Sequence, residues 1–324
     1  MSLKYPWLTQ VFGALYETLQ QGQLHHALLL NGQANIGKSN LATTFAQRLL
    51  CSSDGLYACG ECKSCKLLAS ETHPDLTVLT TEEKSRVIKI DQVRAVIDKL
   101  SGSAQQGGNK VVIVDRVDQL NVNAANALLK SLEEPTPRTY FLLLCNNLDR
   151  LLPTVISRCH LYTIATPTML QSREWLQGYT KDSDDIDTAL YISRGSPIQA
   201  LRFIDSESDT PLAAIFKTLI RCVQHESSIS ETAKVLLKAD LAEEVVPVLH
   251  AGLRQAISRR LHAMPSVPAL IDRLAEALLD KPWNIDNYFS LLEACESTRR
   301  LINSSANPRH DLLLEDLLIR VSLR

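Results

Sequence analysis

Five short apolar runs in the first half of the chain predict β-strands. Each is four or five residues long, and stretches with helical spacing lie between them. Such an alternation is typical of a parallel sheet covered by helices. The runs are His26–Leu30, Leu76–Leu79, Val111–Val114, Phe141–Cys145 and His160–Ile164.

Two of the intervening helices have clear limits in the sequence. In residues 91–100 the apolar side chains recur every three or four positions, which predicts a helix capped by Asp91. Residues 121–134 show the same spacing and end before Pro135, because the residue that precedes a proline is driven out of helical geometry.

The second half of the chain is different in character. After about residue 165 no further strand candidate occurs, and Leu/Ala-rich stretches of helical period continue to Arg324. The acidic residues of 182–187 are interpreted as the start of a solvated helix. A polar, proline-containing segment at 206–211 predicts a boundary. We therefore expect an α/β domain at 1–165, a small helical domain at 166–207 and a larger helical domain at 208–324.

The composition of the 324 residues is that of an ordinary globular protein, with 45% apolar and 22% charged side chains. Its longest apolar runs, such as 141–145, are far shorter than the ~20 residues that span a bilayer, and the first twenty residues do not resemble a signal peptide. A cytoplasmic location is expected. The 34 basic and 36 acidic side chains nearly cancel, so any contact with nucleic acid must be local.

A phosphate-binding loop is predicted at residues 32–39. The segment GQANIGKS fits G-x-x-x-x-G-K-[ST] and lies between a predicted strand and a predicted helix. In such a loop, Gly32 and Gly37 let backbone N–H groups surround a phosphate, Lys38 supplies a positive charge and Ser39 can bind Mg²⁺. A glycine-containing turn that only resembles the motif is the alternative.

A second part of a nucleotide site is expected at the end of the third predicted strand. Asp115 follows Val111–Val114 and could hold Mg²⁺, although a simple turn aspartate is the alternative. The next residue is Arg116, where ATPases of this architecture usually carry the glutamate that polarises the attacking water. Asp118 is expected to point elsewhere, since it lies three residues beyond the strand.

Four cysteines within fifteen residues predict a structural zinc site. Cys51, Cys59, Cys62 and Cys65 can close a tetrahedral shell of thiolates, which leaves no open position for catalysis. A buried helical stripe and a redox C-x-x-C pair are the alternatives. His73 is not needed as a ligand. The other cysteines are scattered and are interpreted as small core residues, namely Cys145, Cys159, Cys222 and Cys295.

Arg158 lies in a Ser-Arg-Cys triplet just before the last predicted strand. An exposed arginine there could reach a phosphate held by a neighbouring subunit. By itself, however, the residue is better explained as an ordinary surface arginine.

In combination these motifs resemble bacterial clamp-loader AAA+ subunits. The resemblance is carried by HHALLLNG at 25–32, the cysteine cluster with THPD at 72–75, NALLKSLEEP at 126–135 and SRC at 157–159. It covers about residues 25–200 in order, whereas the last third matches only in length and helical character.

The resemblance implies a RecA-like AAA+ core with a parallel sheet, a small helical lid and an all-α collar that holds five subunits in a ring. It implies that Arg158 is an arginine finger acting in trans and that Asn146 lies at the first sensor position. The implied partners are the motor subunits gamma and tau, a delta subunit, and, through the complex, the sliding clamp and primer-template DNA. The implied process is clamp loading during DNA replication.

Several residues depart from the family's motor subunits. Arg116 replaces the catalytic glutamate, Ile198 stands where a second sensor arginine is expected, and Asn35 replaces a glycine that is frequent in these loops. ATP or ADP with Mg²⁺ can still be accommodated, because asparagine tolerates positive φ. The expected function is therefore a noncatalytic clamp-loader subunit, itself neither polymerase nor competent ATPase. A self-sufficient ATPase of the gamma/tau type and a zinc-containing nucleic-acid-binding regulator are the alternatives.

Overall fold

The computed structural model describes residues 2–82, 87–180, 182–204, 211–238, 242–263, 265–302 and 309–323. The chain divides into two compact units, residues 1–166 and 167–324. The predicted boundary between 207 and 208 lies outside the described residues, so the division of the second unit into two domains stays a prediction.

The first unit contains a five-stranded sheet in which every described pairing is parallel. The strands are β1 (Ala27–Asn31), β2 (Leu76–Leu79), β3 (Lys110–Val114), β4 (Thr139–Cys145) and β5 (His160–Thr163). Their order in the sheet is β2-β3-β4-β1-β5. All five predicted strands are confirmed, and their ends differ from prediction by no more than two residues.

Among the residues described in this unit, six α-helices accompany the sheet. They are α1 (Thr9–Gln20), α2 (Lys38–Leu50), α3 (Lys63–Ala69), α4 (Ile90–Leu100), α5 (Val122–Glu133) and α6 (Pro153–Ile156). The limits of α5 follow from its local sequence, since the Asn121 side chain accepts the N–H of Ala124 and Pro135 follows its end. Asp91 does not cap α4 as predicted. The helix begins one residue earlier, and the Gln92 side chain accepts the N–H of Lys89 at 2.9 Å.

The sheet has two buried faces because alternate side chains of each central strand point in opposite directions. In β1, Ala27 and Leu29 join a core with α4 and α5, whereas Leu28 and Leu30 join a core with α1 and α2. Helices on both faces explain why the central strands β1, β3 and β4 contain unbroken apolar runs. The carboxyl ends of β1, β3 and β4 meet at one edge, where ligands bind in open α/β sheets.

Helices are the only regular secondary structure among the described residues of the second unit. One apolar core runs from Leu176 to Val321, as the helical periodicity of this half requires. Asp182 caps the helix Ser183–Ile192 by accepting the N–H groups of Asp184 and Asp185, so the acidic run does begin a helix. The helices are α7 (Met169–Leu176), α8 (Ser183–Ile192), α9 (Pro197–Ile204), α10 (Pro211–Val223), α11 (Ile229–Lys238), α12 (Ala242–Arg260), α13 (Ala269–Leu279), α14 (Ile285–Ile302) and α15 (His310–Leu323).

None of the helices in the described part of the chain is both long enough and apolar enough to cross a bilayer.

Candidate functional site

The loop between β1 and α2 requires glycine at both of its fixed glycine positions. Gly37 has a φ of 94°, and a Cβ there would overlap the ring of Tyr5. A Cβ on Gly32 would lie 2.7 Å from the carbonyl oxygen of Ile164. Asn35 adopts a φ of 58°, which this residue type tolerates. Because the first N–H groups of a helix have no partner within it, the start of α2 can bind an anion.

Lys38 is buried at the start of α2, with 6% of its surface exposed. Its Nζ donates hydrogen bonds to the carbonyl oxygens of Gly32 (2.7 Å) and Gln33 (2.6 Å). Burial lowers the pKa of Lys38 to about 8, while the carboxylate of Asp118 makes the largest opposing contribution. The ammonium group is therefore held within the loop itself and remains mainly protonated at neutral pH. Ser39 follows it and is exposed.

Asp115 and Asn146 lie at the same edge of the sheet as this loop. The N–H of Asp115 donates to the carbonyl oxygen of Leu79 at 2.8 Å, which places Asp115 at the end of β3. Asn146 follows β4, and the preceding Cys145 accepts the N–H of Gly32 at 3.2 Å. Burial raises the pKa of the Asp115 carboxyl, opposed by Arg116 and Lys38. The structure thus brings together the residues predicted for nucleotide and Mg²⁺.

Asp118 also belongs to this edge, contrary to the expectation that it points away. Arg116 takes a φ of 60°, and a 3-10 turn at Val117–Gln119 directs Asp118 back. The side chain is 8% exposed, and Oδ1 accepts the N–H of Asn146 at 3.4 Å. Nothing in the local sequence marks this reversal, because it depends on the conformation of a single residue after the strand.

The four clustered cysteines have the geometry of a metal centre. Their sulfur atoms all lie within 4.8 Å of one another. The sulfur of Cys51 is 3.6 Å from that of Cys59 and 4.0 Å from that of Cys62, and the Cys59–Cys65 separation is 3.9 Å. Zinc–sulfur bonds of about 2.3 Å in a tetrahedron separate the sulfurs by ~3.8 Å. The residues present therefore fit a tetrahedral metal ion.

The backbone around the cluster is arranged to stabilise negative sulfur atoms. The N–H groups of Cys59, Cys62 and Cys65 each donate to a cysteine sulfur at 3.4 Å. A hydrogen bond from Ser52 lowers the pKa of Cys62 to about 5, whereas burial raises the pKa of Cys65 to about 12. Only Cys65 lies inside a helix, α3, which excludes a helical stripe as the reason for the spacing.

The segment THPD at 72–75 forms hydrogen bonds both to α3, which contains Cys65, and to the loop that precedes β3. His73 accepts the N–H of Asp75 through Nδ1 at 3.1 Å, so its Nε2 carries the proton and donates to Ser64 Oγ at 2.7 Å. The buried Asp75 carboxylate accepts the N–H groups of Gln105 (2.8 Å) and Gln106 (2.9 Å). His73 is therefore a structural residue, and the structure gives its ring nitrogens other partners than a metal.

Arg158 lies at the opposite edge of the sheet from Lys38. It precedes β5 and so stands at the amino end of the parallel strands, whereas the phosphate loop follows the carboxyl end of β1. Its side chain is 32% exposed and forms an ion pair with Glu133, the last residue of α5. The structure does not bring Arg158 to the edge of the sheet that carries Lys38, Asp115 and Asn146 in its own subunit, called the nucleotide edge below.

The remaining cysteines outside the cluster are core residues. Cys145, Cys222 and Cys295 are buried and Cys159 is half-buried, as predicted.

Comparison with known proteins decides the family. A family model described as "DNA polymerase III, delta subunit" matches residues 7–168. A protein named DNA polymerase III subunit delta' from Escherichia coli is 34% identical over 327 aligned residues, covering 98% of this chain and 95% of that protein. The chain belongs to the delta' family of DNA polymerase III subunits. The resemblance inferred from the sequence motifs is confirmed.

Other members of the delta' family match over a shorter length. The Pseudomonas aeruginosa protein is 44% identical over 201 residues, which cover 61% of this chain and 60% of that protein. The match to the Haemophilus influenzae protein is 38% identical and covers 62% of each. The chain thus matches about three fifths of the length of these two relatives.

A solved structure supports the same fold. The gamma subunit-related protein of Thermotoga maritima superposes with a TM-score of 0.52 over 96% of this chain and 99% of that one, at 19% sequence identity. The predicted AAA+ α/β core followed by a helical part is confirmed.

Proposed function

We propose that this chain is the delta' subunit of a bacterial clamp loader, a noncatalytic AAA+ subunit that acts on its neighbour. It assembles with the gamma or tau motor subunits and with delta, and helps to load the sliding clamp on primed DNA in the cytoplasm during DNA replication. The observation that carries the proposal is family membership across nearly the whole chain. The location of Arg158 away from the phosphate loop of its own subunit supports action in trans.

The nucleotide edge is suited to binding without hydrolysis. The phosphate loop, with Lys38 and Ser39, would hold the phosphates of ATP or ADP, and Asp115 would hold Mg²⁺. Arg116 offers a cation at the position where a general base is needed, and its Nε is buried without a hydrogen-bond partner among the described residues. Asn146 would contact the nucleotide as the first sensor.

The cysteine cluster would hold one structural Zn²⁺. Its four thiolates fill the tetrahedral shell, so the ion would stabilise the segment between α2 and α3 without taking part in chemistry. The division of the second unit into a lid at 166–207 and a collar at 208–324 belongs to the same proposal.

Steady-state ATPase and clamp-loading measurements on the reconstituted complex test the role of Arg158. An arginine finger supplied in trans accelerates phosphoryl transfer by about 10³- to 10⁵-fold in well-studied systems. A loader with several ATP sites should lose only the part of its ATPase rate that comes from one interface. We expect Arg158→Ala to assemble but to show slower DNA- and clamp-stimulated ATPase and loading. Arg158→Lys should rescue poorly, because a point charge does not reproduce the guanidinium fork.

Two outcomes would contradict the proposal. If complexes with Arg158→Ala load clamps at the unmodified rate, Arg158 has no role in trans. If the variant fails to assemble, Arg158 is a structural residue. Robust hydrolysis by the isolated chain that disappears in Lys38→Ala would instead identify a self-sufficient ATPase.

A further inference from the structure

The guanidinium of Arg158 is almost fully engaged within its own subunit. Nε donates to Oε1 of Glu133 at 2.5 Å, and Nη2 pairs with the same carboxylate. Nη1 donates to the carbonyl oxygen of Thr154 at 2.8 Å and to Ser157 Oγ at 3.4 Å. These contacts use four of the five N–H groups that an arginine offers. The resting position of Arg158 is therefore a bound position.

Glu133 is the last residue of α5, and the backbone at this end of the helix is anchored by a hydrogen bond. The preceding residue, Leu132, is buried, and its carbonyl oxygen accepts a hydrogen bond from His26 Nε2 at 2.7 Å. This contact satisfies one of the free carbonyls of the last helical turn and ties it to the start of β1. The partial negative charge at the carboxyl end of α5 adds to the attraction for Arg158.

We propose that Glu133 is a positioning residue, which keeps Arg158 on its own subunit and competes with a neighbour's phosphate for the Nε–Nη2 edge of the guanidinium. The inference rests on the proposed trans role of Arg158. Carboxylates and phosphates both prefer the two parallel N–H groups of this edge. A phosphate can therefore use the edge only after Glu133 has left it.

The competition is weak enough to be reversed, because solvent reaches the pair. The side chains of Arg158 and Glu133 are 32% and 47% exposed, and ion pairs of such exposure are weak. The carboxylate can thus be displaced when a neighbour's nucleotide approaches, and the arginine can return when the nucleotide leaves.

The first test is the ATP dependence of the reconstituted complex carrying Glu133→Gln. The amide keeps the size of the side chain and removes the competing charge. Competition affects the ground state and the transition state equally, so at the one interface that Arg158 serves we expect the apparent KM for ATP to fall about two- to fivefold with kcat unchanged. Glu134→Gln, an exposed neighbour with the same change of charge, is the matched control and should leave KM unchanged. Glu133→Gln should have no effect in an Arg158→Ala background.

A higher KM or a lower kcat in Glu133→Gln would overturn the inference, because Glu133 would then assist the arginine rather than compete for it. An equal shift in Glu134→Gln would also overturn it, since the effect would be one of net charge.

The second test does not depend on ATP hydrolysis. In the full chain labelled with ¹⁵N-arginine, we expect the Nε–H signal of Arg158, assigned by its loss in Arg158→Ala, to be protected from exchange with water. Glu133→Gln should abolish this protection and Glu134→Gln should not. A protected signal in Glu133→Gln would overturn the inference. Unchanged ATPase in Arg158→Ala would refute the proposed function, whereas this spectrum would still decide whether Glu133 holds the arginine.

Discussion

The ammonium of Lys38 lies 2.6 Å from the carbonyl oxygen of Gln33, inside the loop that is expected to bind phosphate. The contact keeps the cation buried at the nucleotide edge, and burial lowers its pKa to about 8. A group with a depressed pKa near neutrality makes binding at this edge sensitive to pH.

We expect affinity for ADP to fall as pH rises above about 8. Below that pH the free Lys38 is protonated and can pair with phosphate. Above it the free side chain is neutral, while the bound phosphate favours the protonated form, so binding must take up a proton. The loss is limited to about tenfold per pH unit for a single group. Calorimetry at pH 7 and pH 9, in buffers of different ionisation enthalpy, measures both affinity and proton uptake.

Lys38→Arg is the control for this pH dependence, since arginine stays charged throughout the range. Equal ADP affinities at pH 7 and pH 9 in the unmodified chain would contradict the assignment of the effect to Lys38.

The cysteine cluster should carry one equivalent of zinc. Elemental analysis of protein purified without added metal checks this, and Cys62→Ser should lose the ion because one of its four ligands is gone. The same substitution should lower the thermal midpoint, since binding of a structural metal contributes to folding. Cys159→Ala, outside the cluster, should retain the full equivalent. Zinc that persists in Cys62→Ser would rule out this ligand set.

Asp75→Asn should destabilise the first unit. The carboxylate accepts two backbone N–H groups, from Gln105 and Gln106, in a buried position, and an amide presents only one oxygen to them. We expect a loss of about 2 kcal/mol in the free energy of unfolding, measured with urea. Asp98→Asn, on the exposed face of α4, should change it by less than about 0.5 kcal/mol. Similar values for the two variants would refute the structural role of Asp75.

Two glycine substitutions should act in opposite directions. Gly13 lies within α1, and a Cβ added there would meet no atom within 4 Å, so Gly13→Ala should raise stability by about 0.5 to 1 kcal/mol. Gly37→Ala should lower stability and weaken ADP binding, because of its positive φ and the contact with Tyr5. Thermal midpoints of the two variants, measured with and without ADP, report both stability and binding. A stable Gly37→Ala variant that binds ADP normally would show that the loop does not need glycine at this position.

Local sequence determined most of the elements and the residues of each motif. The strands of the first unit, the limits of α5 and the cluster of four cysteines depend on short-range features: apolar runs, an Asn cap before a Pro-terminated helix, and the spacing of four thiols. These features act within a few residues, so they are visible before the chain is folded. Together with the cysteine cluster and THPD at 72–75, the motifs at 25–32, 126–135 and 157–159 indicated the family.

The tertiary structure alone decided which of these residues meet. Asp118 turns back toward Lys38 because Arg116 adopts a left-handed conformation, which the residue pattern does not predict. Glu133 and Arg158 are 25 positions apart and pair only because α5 and α6 end at the same edge of the sheet. The sequence shows that residue 158 carries a positive charge, whereas long-range packing determines which carboxylate pairs with its guanidinium group.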